Sequence, residues 1–204
     1  HVVRMAAVLT EEMNPQTQAN QAPVNSPKVD LLGITARQLS EVAVDWFGDR
    51  KGRGFARNVH HQAVCHGQFA PEDLGAGPQS AAIWRAQAYL DLPKTIDRKM
   101  ESGEHGEICK RLLELHDGRV IESVSIPMGR NRRSLCVSTQ VGCARACTFC
   151  ETGKLGLLRN LSAGEIVAQV TTQLLAVSIS QVVFQGMGEP LDNLEGLLPA
   201  LEVL

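Results

Sequence analysis

Six cysteines occur in the sequence, and four of them (Cys136, Cys143, Cys147 and Cys150) fall within fifteen residues. The last three have the spacing CxxxCxxC. Three thiolates on one short loop can hold three irons of a cubane 4Fe–4S cluster. The fourth iron then keeps an open position, where it can bind a substrate and pass it an electron. A structural zinc ion would want four ligands. Cys136 could in principle be the fourth, but it lies in a strand seven residues before Cys143, and strand geometry carries it away from the loop. Iron–sulfur is the leading reading, with zinc or inert core thiols as alternatives. A secreted disulfide framework would spread its cysteines through a shorter chain. Clustering in a long chain points instead to a reducing compartment, which implies the cytoplasm. His60, His61 and His66 beside Cys65 fit no standard metal-site spacing. Cys109 reads as a packed strand residue.

These groups need elements to hold them. Residues 1–28 are polar and without period, and read as a disordered tail. Thr35 with Gln38 makes a capping box, and Leu39, Val42, Ala43 and Trp46 follow the spacing of an amphipathic helix that stops at Gly48. The basic segment Arg50, Lys51, Arg53 and Arg57 reads as a solvated loop and helix start, or as a phosphate-contacting patch. A helix is expected from Ser80 to Leu90. Residues 29–105 thus read as a helical accessory domain. From about Glu107 the period switches to that of a strand. Asp117-Gly118 turns a hairpin whose return strand runs from Val120 to Ile126, so 106–128 reads as a hairpin linker.

After Arg130, Arg132 and Arg133 a strand is expected over Leu135–Val141, then a long loop over 142–161. Ser162 with Glu165 caps a helix carrying Ile166, Val167, Val170, Leu174 and Val177. A short buried strand, Val182 to Phe184, ends in Gly186-Met187-Gly188-Glu189-Pro190. Leu194, Leu197, Leu198 and Leu201 return to helical spacing, with Pro199 tolerable near a helix start. The order strand, loop, helix, strand, Gly-rich turn, helix makes 129–204 a truncated α/β unit with a parallel βαβ crossover. Ligands of such sheets sit at the carboxyl ends of the strands, where both the cysteine loop and the Gly-rich turn fall.

Composition sets the outer bounds. The chain of 204 residues is 44% apolar and 21% charged, which excludes collagen and a wholly disordered chain. Twenty basic against 22 acidic residues give a net charge of −2. That neither announces nor excludes a nucleic-acid partner. No apolar run approaches the roughly 20 residues of a membrane span, so no membrane partner is expected. His1 to Glu12 is too short and interrupted for a secretory signal, and the absence of an initial Met suggests a fragment or an extended reading frame.

The words around the cysteines are more specific than their spacing. Leu135-Cys136-Val137-Ser138-Thr139-Gln140-Val141-Gly142-Cys143, Arg159-Asn160-Leu161, Gly164-Glu165-Ile166 and Gly186-Met187-Gly188-Glu189-Pro190-Leu191 closely resemble the RlmN/Cfr family of radical-SAM RNA methyltransferases. The match runs from about Glu122 to Leu204. It implies the N-terminal portion of a radical-SAM partial (βα) barrel, preceded by a helical RNA-binding accessory domain. Cys143, Cys147 and Cys150 would ligate the 4Fe–4S cluster, whose open iron chelates S-adenosyl-L-methionine. Gly188 and Glu189 would contact the methionyl end of that molecule, with a plain strand exit as the alternative. The family methylates an adenine carbon through a methyl-cysteine far down the chain. Cys136 matches its second catalytic cysteine, which releases the product by forming a disulfide. Glu122 matches the proton acceptor, with an exposed strand carboxylate as the alternative. The implied substrate is adenine C2 of 23S rRNA, with tRNA as a second one and Cfr-like C8 chemistry as the runner-up. The implied electron donor is of the flavodoxin kind, and the implied state is a monomer. Ala146 and Glu151 depart from the family pattern. No cysteine follows Cys150, so the chain is expected to be an incomplete fragment, itself inactive. The rival readings are another radical-SAM enzyme and an inactive cluster-binding fragment.

Overall fold

A computed structural model describes residues 27–204. The expected tail lies, up to residue 26, outside the described residues. A two-residue strand β1 (Val29–Asp30) leads into α1 (Ala36–Phe47), which Thr35 and Gln38 cap reciprocally as the sequence predicts. α2 (Asp49–His66) follows, then a 3-10 turn (Pro71–Leu74), α3 (Pro78–Gln87) and β2 (Ala88–Tyr89), which pairs with β1 in parallel. Trp84 is buried at the centre of this layer, with the rings of Trp46, Phe47 and Phe55 at 5.2, 5.6 and 5.9 Å. The basic segment, expected as a loop and helix start, lies wholly inside α2. Its two glycines cost a helix about 1 kcal/mol each, and burial of Ala56, Val59 and Ala63 on one helix face offsets that. α3 stops at Gln87 rather than Leu90 because Ala88 and Tyr89 are taken by β1.

The second half is a sheet with one helix across it. β3 (Lys94–Gly103), β4 (Gly106–Glu114), β5 (Val120–Pro127) and β6 (Arg133–Cys136) run antiparallel in sequence order. Next come β7 (Gln140–Gly142), α4 (Glu151–Lys154), β8 (Leu157–Asn160) and α5 (Ala163–Leu174). β9 (Gln181–Val183) then joins the sheet parallel to β6, before a 3-10 turn (Pro190–Asp192) and α6 (Leu194–Val203). The sheet order is β3-β4-β5-β6-β9. β6, α5 and β9 are the parallel βαβ unit that the pattern implies.

α5 joins the layers. Ile166 and Val167 belong to the core built by α1, α2 and α3, whereas Val170 packs with Leu135 and Val137 on the sheet. Thr171 donates its hydroxyl to the Val64 carbonyl of α2 at 2.9 Å.

Five more local expectations change. β3 lies within the stretch read as helical, and its residues are exposed on both faces, so no apolar alternation betrays it. The strand expected over Leu135–Val141 is broken in two. The buried Gln169 side chain accepts from the Ser138 N–H at 2.8 Å and donates to the Ser138 carbonyl at 2.9 Å, taking the place of a neighbouring strand. The loop 142–161 contains α4 and β8, and β8 pairs back onto β7. β9 is exposed to half-buried rather than buried, because it is a sheet edge. Pro199 sits inside α6 because Asn193 caps that helix a turn earlier.

Candidate active site

Cys136 ends β6, opposite Val124 on β5 and Val183 on β9. Side chains alternate faces along a strand, and α5 covers the face that carries Leu135. Cys136 therefore points to the other face. Burial pushes its thiol above the ordinary range, and a hydrogen bond with the Gln185 backbone pulls the other way. Glu122 lies two residues from Val124 on that same uncovered face. Its two carboxylate oxygens stand 3.2 and 3.1 Å from Lys110 Nζ. The face α5 leaves open thus carries a thiol and a carboxylate on adjoining strands.

Beyond Cys136 the chain is stitched to the segment that follows β9. Gly186 donates to the Val137 carbonyl at 3.0 Å, and Thr139 and Gln140 donate to the Met187 carbonyl at 2.9 and 3.2 Å. Met187 donates to Ser138 Oγ at 2.9 Å. Gly188 has φ +100°, and a Cβ there would stand 2.6 Å from Gln140 Cβ, so only glycine fits. Glu189 Oε1 accepts from the Leu191 N–H at 3.2 Å, capping the 3-10 turn after it. The Thr139 hydroxyl, buried beside this turn, has no hydrogen-bond partner among the described residues.

The cysteine loop rises from the β7–β8 pair. Cys143 donates its N–H to the Gly156 carbonyl at 3.0 Å. Gly142 has φ +79°, and an added Cβ would overlap that same carbonyl. Within the loop, Cys150 N–H bonds the Cys147 carbonyl at 3.0 Å, and the Arg145 N–H lies 3.5 Å from Cys143 Sγ. Arg145 also pairs with Asp192, tying the loop to the turn after Glu189. Cys143 is buried, Cys150 half-buried and Cys147 exposed, and Phe149 is 89% exposed. The three thiols share one loop, yet among the described residues no group of His, Cys, Asp or Glu is gathered as a metal site. In kind, the donor set suits iron and sulfide: three soft thiols, one already accepting a backbone N–H.

No family model matches the chain. It is 38% identical over 180 residues to the dual-specificity RNA methyltransferase RlmN of Syntrophotalea carbinolica, covering 87% of this chain and 46% of that one. It is 38% identical over 203 residues to RlmN 2 of Myxococcus xanthus, covering 93% and 52%. A crystal structure of a radical SAM methyltransferase from Sphaerobacter thermophilus superposes with a TM-score of 0.70 at 31% identity, covering 86% of this chain and 52% of that one. Over most of its own length the chain is thus similar to RNA methyltransferases named RlmN. It spans about half the length of the curated relatives it matches. Its fold is correspondingly part of the radical-SAM α/β core, behind a helical layer and a hairpin.

This likeness puts the remaining groups in perspective. The Arg159-Asn160-Leu161 word that marks the resemblance is structural at its first residue. Arg159 on β8 donates to both oxygens of Glu165, at 2.8 Å each, and to Asp117 Oδ2 at 2.8 Å. The hydrogen bond from Arg159 holds the Asp117 carboxyl down at about 2. The pair ties the loop's return strand to the hairpin turn and to the cap of α5. Sequence reasoning missed it because the partners lie 42 and 6 residues away. A cavity of about 930 Å³ opens beside it, lined by Asp30, Asp91, His116, Arg159 and Glu165 among others, apart from the cysteine loop.

The described basic residues line separate cavities. Arg53 and Arg57, with Arg37, line a cavity of about 420 Å³ between α1 and α2. Arg130, Arg132 and Arg133 line another of about 360 Å³ at the start of β6, the strand end away from the cysteine loop. The side chains of Arg50 and Lys51 lie outside the described residues. His60 Nε2 bonds the Ile34 carbonyl at 2.8 Å, and burial lowers its pKa. His61 rests edge-on against His66. Among the described residues these histidines gather no metal site. Cys109 is buried in β4, as its alternation predicts.

Proposed function

We propose that this chain is the cluster-bearing part of a radical-SAM RNA methyltransferase that acts on adenine C2 of 23S rRNA, and on tRNA, through a methyl-cysteine carried elsewhere in the full protein. One observation carries the reading: at the ends of the adjoining parallel strands β6 and β9, Thr139 and Gln140, which lead into the CxxxCxxC loop, are bonded to Met187 and Glu189, and Arg145 of the loop pairs with Asp192. Cys143, Cys147 and Cys150 would hold the 4Fe–4S cluster, which supplies the electron that starts radical chemistry on S-adenosylmethionine. Gly188 lets the backbone approach the methionyl end, and the Glu189 carboxylate suits its ammonium group. Glu122 is the proton acceptor and Cys136 the thiol that closes a disulfide to release product. Their shared position on the face that α5 leaves open supports those roles.

The arginines beside α1 and α2 contact RNA phosphates, and the helical layer over 29–92 is the RNA-facing unit. The electron donor is a flavodoxin-type protein, the full enzyme acts as a monomer, and its place is the cytoplasm, where its RNA substrates are. Among the described residues no helix is long and apolar enough to cross a membrane.

The test is anaerobic reconstitution of the chain with iron and sulfide. About four of each per chain are expected. Cys143→Ala, Cys147→Ala or Cys150→Ala should abolish the brown chromophore, and Cys136→Ala should keep it. Tight zinc without sulfide would overturn the reading.

A further inference from the structure

Gln140 lies wholly inside the protein, with 0% of its surface exposed. Its carboxamide is used at both ends. Nε2 donates to Asn160 Oδ1 at 2.8 Å, and Oε1 accepts from the Glu189 N–H at 2.9 Å. Its backbone pairs with Asn160 in the β7–β8 ladder and donates to the Met187 carbonyl at 3.2 Å. Gly188 has no side chain where Gln140 stands, since a Cβ there would meet Gln140 Cβ, Cγ and N at 2.6 to 2.8 Å. One side chain therefore touches three pieces: the strand that enters the cysteine loop, the strand that leaves it, and the turn carrying Glu189. A buried carboxamide with both ends bonded cannot rotate without orphaning a donor and an acceptor, so it fixes the spacing between loop and turn.

We propose that Gln140 is a positioning residue that sets the Gly188–Glu189 turn against the cysteine loop, so that the methionyl end of S-adenosylmethionine meets the cluster in register. Asn160 fixes the orientation of the Gln140 carboxamide. The inference rests on the reading of Gly188 and Glu189 given above. It adds that their placement is dictated by a side chain that touches neither cofactor nor cluster ligand. Replacing Gln140 should therefore harm cofactor binding and leave cluster assembly alone.

The experiment uses the whole chain, reconstituted anaerobically, with S-adenosylmethionine as the probe. Gln140→Leu keeps the volume and removes both side-chain bonds. Asn160→Leu disturbs the carboxamide without touching Gln140 or Glu189, and Asn160→Asp restores an acceptor for Nε2. Three quantities are read: iron and sulfide per chain, the dissociation constant for S-adenosylmethionine, and the change in the reduced cluster's electron paramagnetic resonance spectrum when it is added. Both leucine variants should keep wild-type iron and sulfide, bind S-adenosylmethionine about tenfold or more weakly, and lose the spectral change. Asn160→Asp should recover most of the affinity. Leucine variants within twofold of wild type, or variants that lose cluster and cofactor together, would overturn the positioning role alone. A wild-type chain that assembles no cluster, or binds no S-adenosylmethionine, would overturn the functional reading and this inference with it.

Discussion

Two segments leave the ends of adjoining strands and are held in opposite ways. The turn after β9 is bonded along its length to residues 137–140, and its glycine sits where no other residue fits. The tip of the loop after β6, in contrast, carries an exposed Cys147, a Phe149 that is 89% exposed, and Ala146 at φ +48°. The loop is fixed at its base, by β7, β8 and the Cys143–Gly156 bond, and by the Arg145–Asp192 pair. The contrast suits the two tasks proposed for these segments. A turn that recognises a small molecule gains from preorganisation. A loop that supplies metal ligands can take its final geometry from the metal, because binding and ordering are then one event.

The sharpest way to break this contrast is Gly188→Ala. The methyl would force a strained positive φ and collide with the buried Gln140. A loss of about 3 kcal/mol is expected, read as a lower midpoint in urea at unchanged slope. A loss below about 1 kcal/mol would mean that the turn yields, and that its order is no property of the fold.

What could be read in the sequence follows the range of the interactions involved. The capping boxes at Thr35 and Ser162 and the Asp117-Gly118 turn are local, and they were legible. So was the meeting of the cysteine loop with the Gly-rich turn, because a βαβ unit brings the ends of its two strands together. The break after Cys136 was hidden, because Val137 and Val141 continue a strand-like pattern while the cause, Gln169, stands 31 residues on. β3 was hidden by its polarity on both faces. Gln140 and Arg159 could be quoted as motif letters, but their partners follow only from the folded chain.

A smaller effect comes from the base of the loop. The Asp117 carboxyl is held at about 2, below its ordinary value of 3.8, chiefly by the Arg159 hydrogen bond. A depressed carboxyl stabilises the fold above its unfolded pKa, and that contribution is lost as pH falls from about 4 toward 2. Both side chains are partly exposed, 26% for Asp117 and 28% for Arg159, so screening leaves on the order of 1 kcal/mol. Asp117→Asn should lower stability by that amount at pH 7 and by nothing near pH 2. A difference that persists at pH 2 would mean that Asp117 acts through packing instead of charge.

The smallest effect belongs to the loop tip. Cys147 is exposed and packs against little, so Cys147→Ala in the metal-free chain should change stability by less than about 0.5 kcal/mol. The position should matter only once iron and sulfide are supplied. Ligands that bind only the folded state raise its stability in proportion to the logarithm of their excess over the dissociation constant. The reconstituted wild-type chain should therefore unfold at higher urea than the metal-free chain, and amides over 144–155 should exchange more slowly. Cys147→Ala, with one thiolate of three gone, should gain neither. The silent result in the metal-free chain and the lost gain on reconstitution belong together, because a ligand that contributes nothing until the metal arrives cannot also have been holding the loop. A cost above about 1 kcal/mol in the metal-free chain would show the loop tip to be preformed, and the two segments would then differ only in what they bind.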